Sequence, residues 1–328
     1  MEQKTPSVCE QITAALENEK LPENFSLLDA GNSGIRWAPG AMDGVAIYHM
    51  GPPSFSAEEE QAILSAVQTA SQGTYDEAYR AFLALGQQHS AYSTIDMLQN
   101  CIIEHKNSLN LGALHGFAVK CLLDAPDIDL VKFGMEILEI FTDPKPELKK
   151  VIFTLGLYDE LTIFALFHMQ RWPNANAEIF RLARAVHGWG RVHAVERLEP
   201  QTQEIRDWLL HEGAHNAVMP EYSALTCFVK SDAAQRLKGT LSDAEFASAG
   251  FLFAHLFEEG PVAGISALPD ARETILDYLA QAAARSLSSA DCDVIKMMRA
   301  FAGGASEPDA ETDARIIAAC DRLLCTGT

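Results

Sequence analysis

Apolar residues recur along this chain every three to four positions, in short runs broken by glycine, proline or a capping residue. That spacing puts them on one face of a helix. The run "SAEEEQAILSAVQTASQG" is followed at once by "TYDEAYRAFLALG", a helical hairpin with a tight turn. Ser56 precedes Glu59 by three residues, as Thr74 precedes Glu77, Ser242 precedes Glu245 and Asp270 precedes Glu273. At this spacing the cap oxygen takes a free backbone N–H while the glutamate bonds back. Gly73, Gly86, Gly213 and Gly260 stand where helices should stop. The pattern predicts helices over 56–72, 74–86, 93–106, 110–123, 128–141, 146–156, 159–172, 175–187, 191–198, 203–212, 218–230, 242–259, 270–287, 290–302 and 310–325. Alternating, strand-like segments are almost absent. The one candidate is 24–51, where "IRWAPG" and "VAIYHMG" either pair briefly or form irregular coil and a helix. The expectation is an all-α chain, with a short irregular N-terminal segment (1–55) packed on a single helical-repeat domain (56–328).

Many short helices with short loops pack either as a globular bundle or as stacked helix pairs. An internal echo favours stacking. "PGAMDGVAIYHM" (39–50) and "LGALHGFAVKCL" (111–122) match at Gly40/Gly112, Ala41/Ala113, Gly44/Gly116 and Ala46/Ala118. The segment "DPKPELKKVIFTLGLYDELTIFALFHMQRW" (143–172) has proline in its first turn, an apolar first helix, a "LGLYDE" joint and a more apolar second helix. It resembles one unit of the HEAT or armadillo type, and the resemblance extends over about 120–300. It implies a right-handed α-α superhelix, a solenoid of HEAT-like helix pairs that binds protein partners. It assigns no role to any residue.

Charge narrows the partners. The 328 residues carry a net charge of −20. Nucleic acids and anionic membranes are bound through clustered Lys and Arg, so neither is expected here. The most apolar run, "LTIFALFHM", has nine residues, whereas a membrane span needs about twenty. The start, "MEQKTPSVCEQ", lacks a signal-peptide stretch. The seven cysteines are scattered, odd in number and without a CxxC pair. They read as reduced core thiols of a cytoplasmic protein.

Candidate chemistry is sparse. His211 and His215 have the spacing of two ligands on one helix face, but Gly213 ends the helix between them. The last-turn His211 then suits the helix dipole. His187 and His193 flank a Gly-Trp-Gly break and converge only across a turn. "HLFEE" (255–259) lacks a second histidine. No metal and no cofactor are expected. GxSxG, GxxxxGK[ST] and GxGxxG are absent, and "GNSG" (31–34) reads as a turn. Asp43 and His49 form an acid/base pair only if their segment folds back.

The stretch "HGWGRVHAVERL" (187–198) stands out. Val192, Val195 and Leu198 form an apolar stripe, and Trp189 between two glycines can plug a joint between helices. Residues 171–206 hold six arginines and four glutamates, a local balance of +2. Arginine beside tryptophan is the composition of a binding hot spot, and arginine suits bidentate carboxylate recognition. Arg184, His187, Trp189, Arg191, His193 and Arg197 are therefore the candidate binding residues, facing a protein or acidic peptide segment. The expected function is a non-catalytic cytoplasmic protein-interaction scaffold. The alternative is a hydrolase whose site is assembled from residues distant in sequence.

Overall fold

Ser7, Ser56 and Ser242 each hold extended backbone one residue ahead of a helix. Each accepts the N–H of the glutamate three residues on, and that glutamate bonds back. Two of these capping boxes were expected, and the one at Ser7 was not. Thr74 and Asp270 do not form them, because their ψ values of 70° and 39° turn the side chain from the first-turn N–H groups. Thr74 Oγ1 donates instead to the Thr69 carbonyl at 3.0 Å. Helices start at both places all the same. A cap contributes about 1 kcal/mol, less than burial of an apolar face.

The computed structural model describes residues 5–27, 37–141, 145–216, 218–260, 262–304 and 310–326. Among them the fold is all-α, 71% helical and without strands. The "GNSG" turn lies outside the described residues. The chain divides into two compact units, Met1–Arg197 and Leu198–Thr328.

The first unit contains α1 (Val8–Ala15), α2 (Ala41–His49), α3 (Ala57–Ser71), α4 (Tyr75–Gly86), α5 (Ala91–His105), α6 (Leu111–Asp124), α7 (Ile128–Glu139), α8 (Pro146–Gly156), α9 (Asp159–Met169), α10 (Ala175–Ala183) and α11 (Gly188–Arg197). Sequence neighbours pack as pairs: α3 on α4, α6 on α7, α8 on α9. Each pair then meets the next, through α4 on α7 and α7 on α9. This pairwise stacking is compatible with a helical-repeat array. Both members of the sequence echo are helices, α2 and α6. A ladder of rings forms the core: Phe82 meets Phe117 at 5.4 Å and Phe133 at 5.1 Å, all three buried. Burying such a side chain contributes about 1.5–3 kcal/mol.

The second unit contains α12 (Gln203–Trp208), a π-helical turn at Leu209–Gly213, α13 (Glu221–Lys230), α14 (Ala233–Leu237), α15 (Asp243–Leu256), a short 3-10 turn at Ile265–Ala267, α16 (Ala271–Ala282), α17 (Ser289–Gly304) and α18 (Ala310–Thr326). The α13 helix packs on α15, α15 on α17, and α17 on α18. Tyr278 lies buried against Phe246 and Phe253. All seven cysteines are free thiols, with Cys101, Cys121, Cys227 and Cys320 buried. Among the described residues no helix is long and apolar enough to cross a membrane.

Candidate functional site

The two glycines of "HGWG" do not lie between helices, as the pattern suggested. The break falls at 184–187, and both glycines belong to the first turn of α11. Asp159, in the first turn of α9, supplies the missing cap. Its carboxylate accepts the His187 N–H at 3.4 Å and also bonds the Gly190 backbone. Gly190 allows the approach, since a Cβ there would come 2.5 Å from Thr162 Oγ1 and 2.7 Å from Asp159 Oδ1. Trp189 is buried and plugs the joint, its ring against Gly44 of α2, where a Cβ would come within 2.4 Å.

The six candidate residues scatter around this joint. His193 is buried, stacked on Tyr48 at 6.1 Å with Trp189 6.2 Å away. Burial, reinforced by the Arg197 charge, pushes its pKa down to about 3, so the ring is neutral. His187 is half-buried near Arg191, Glu23 and Lys20, outside that aromatic slot. Arg191 Nε donates to the Val186 carbonyl at 3.0 Å. Arg197 donates to the His193 carbonyl at 3.2 Å and to Glu196 at 3.3 Å, and stands 5.5 Å over Phe167. Arg184 is exposed, 5.4 Å over Phe180. The structure brings Trp189 and His193 together; both face inward.

Beneath α2 lies a buried ionic cluster that the sequence did not reveal. Lys132 Nζ donates to Asp43 at 2.9 Å and to Glu160 at 2.5 Å. The side chains of Lys132 and Asp43 are 4% and 1% exposed. Glu160 also accepts the Gly40 N–H at the head of α2. Burial works against the lysine charge, but Glu160 and Asp43 outweigh it and hold the pKa above its ordinary value. Burial raises the Asp43 carboxyl against the pull of Lys132. Glu136, one turn along α7, is raised well above its usual range by burial and by the Asp43 charge. Its oxygens meet no protein hydrogen-bond donor among the described residues. Asp129 is lifted by burial to about 6 despite Lys132. Asp129, Lys132 and Glu136 share one face of α7, a spacing that reads in sequence as a solvated stripe. Lys132 and Glu136 are nonetheless buried in the fold. Asp43 is thus an ion-pair partner of Lys132, not an acid/base partner of His49.

The other face of α2 forms a groove. Met42, Ala46 and Met50 are spaced four apart and look across a space of about 680 Å³ to Tyr92, Ile95 and Phe167. Met42 and Met50 are 45% and 66% exposed. Asp96 and Glu139 also line the groove. Glu139 takes a bond from Gln99 at 2.9 Å and pairs with Arg171 at 3.5 Å.

Two further constellations lie in the second unit. His211 sits in the π turn, hydrogen-bonded to Ser248 Oγ of α15 at 2.8 Å, rather than closing an α-helix. Ser248 is inside α15, where its own backbone N–H is committed to the helix. Glu221, His255 and Glu258 hold ligand-type atoms within 4.8 Å of one another, with His255 Nδ1 3.0 Å from Glu258. No protein-family model, curated protein or solved structure matches the chain. The site's own chemistry therefore carries the functional argument.

Proposed function

We propose that the protein is a non-catalytic, cytoplasmic interaction scaffold that docks a protein segment in the groove beside α2. The observation that carries this reading is the outward stripe Met42–Ala46–Met50 facing Tyr92 and Phe167. Exposed methionines are adaptable contact surface, and a continuous exposed apolar patch marks a docking site. In the same reading the helix pairs stack as a right-handed HEAT-like superhelix.

The occupant is a helix with apolar anchors and basic flanks. Asp96 and Glu139 line the groove, and a chain of net charge −20 repels an acidic segment. Of the arginines that suggested an acidic partner, Arg197 pairs with Glu196; Arg181, in the same stretch, pairs with Glu178 and Glu19. Arg197 keeps a place at the groove edge, over Phe167.

The test is fluorescence anisotropy with labelled amphipathic peptides that share their apolar anchors and differ in Lys or Glu flanks. The basic peptide is expected to bind more tightly. Met42→Glu and Phe167→Glu are expected to weaken it at least about tenfold, or about 1.4 kcal/mol, with folding intact by circular dichroism. Equal affinity for both peptides, or indifference to both variants, refutes the reading. The hydrolase alternative rests on the Ser248–His211 bond. Covalent labelling of Ser248 by a fluorophosphonate, lost in His211→Ala, supports that alternative.

A further inference from the structure

A separate opening in the Met1–Arg197 unit lies among α6, α7, α8 and α9. It is a cavity of about 520 Å³, within the roughly 300–1,000 Å³ of small-molecule sites. Interiors otherwise pack with few voids larger than a water molecule. Val119, Leu123, Leu138, Leu148 and Val151 line it, and Leu123 is 40% exposed. Wet apolar surface of this kind costs about 25 cal/mol per Å², which an apolar occupant removes.

One buried polar side chain reaches the cavity. His168 is only 5% exposed and lies on its wall. Its Nε2 is 2.9 Å from the Met135 carbonyl oxygen. A carbonyl only accepts, so Nε2 carries the proton and the tautomer is set. Burial, partly offset by that bond, lowers the pKa to about 4. The ring is neutral near pH 7, and Nδ1 keeps its lone pair. The buried His168 therefore presents an acceptor to the cavity; the half-buried His115, edge-on to Phe141 at 5.0 Å, lines it as well. Lys145 and Glu147, both exposed, also line the cavity. Their opposite charges leave no net sign to select an ion.

We propose that this cavity binds a neutral lipophilic alcohol or phenol, its apolar body against the leucine and valine walls and its hydroxyl donating to His168 Nδ1. The site stands apart from the α2 groove and does not depend on the scaffold reading.

Naphthol and naphthalene differ by the hydroxyl alone, and their own fluorescence reports binding to the full chain. Naphthol is expected to bind about tenfold more tightly, the worth of one hydrogen bond of about 1.4 kcal/mol. His168→Phe keeps the ring volume and is expected to bring the two ligands level. Val151→Trp, at a half-buried wall position, is expected to abolish binding of both without lowering the melting temperature. Absence of naphthol binding, or a naphthol preference that survives His168→Phe, overturns the proposal. Should His168→Phe fail to fold, Val151→Trp decides: unchanged naphthol binding in it overturns the proposal.

Discussion

Lys132→Met removes the one cation from the cluster under α2 and leaves Asp43 and Glu160 facing each other. Taking one partner from a buried ion pair costs about 3–5 kcal/mol, because the charge left behind is desolvated and unpaired. Asp43→Asn is milder. Glu160 stays 2.5 Å from the ammonium, and the repulsion between Asp43 and Glu160 disappears. About 1–3 kcal/mol is expected, the range for a charge-assisted hydrogen bond. The double variant leaves no charge unpaired at position 43, only Glu160 without its lysine, so its cost should fall short of the sum by about 1–3 kcal/mol. Urea unfolding followed by tryptophan emission reads this directly. The Trp189 ring lies against Gly44 of α2, so release of α2 wets the indole and shifts its emission to the red. A Trp208→Phe background silences the tryptophan of the second unit. Costs that add within about 0.5 kcal/mol, or an Asp43→Asn cost equal to that of Lys132→Met, would refute the reasoning.

Gly44→Ala places a methyl 2.4 Å from the Trp189 ring. It should destabilise the Met1–Arg197 unit by about 1–3 kcal/mol and weaken the basic peptide, as thermal unfolding and anisotropy will show. Asp159 is raised by burial to about 7 in the folded state, against an ordinary value of about 3.9. Its native carboxyl holds a proton that the unfolded chain releases, so this contribution is full below about pH 4 and is lost as pH rises through 7. Urea midpoints should therefore show Asp159→Asn gaining on the wild type from about pH 5 to 8; a gap that does not change with pH counts against this. His193 has the opposite sign. Its pKa falls from about 6.5 to about 3, so its contribution is full above about pH 6.5 and is lost as pH falls. His193→Phe should accordingly be less acid-sensitive in the same assay. Elemental analysis of the purified protein should find no stoichiometric zinc; one equivalent, lost in His255→Ala, would make Glu221, His255 and Glu258 a metal site.

That this chain is helical, and where most of its helices lie, was legible before folding, because period and caps are local. Ser56 and Ser242 cap as their glutamates foretold, and the apolar faces of α3 and α4 meet as the tight Gly73 turn required. The sequence also marked "HGWGRVHAVERL" as a place where something unusual happens, and Trp189 as the plug of a joint. What the joint closes on was decided only in three dimensions. Asp159 caps α11 from another helix, and Gly190 is explained by α9 rather than by a break. The largest gap concerns charge. Asp129, Lys132 and Glu136 have the spacing of an exposed polar face, yet Lys132 and Glu136 are buried, and the Asp43 that pairs with Lys132 stands about ninety positions earlier in the chain. A residue's solvation is set by whatever lands on it, and periodicity reports the face a residue occupies but not what covers it. The same holds for the groove and the cavity. Met42 and Met50 read as ordinary apolar positions, and His168 as one more histidine in an apolar run, until packing leaves the methionines exposed and puts the imidazole on a wall.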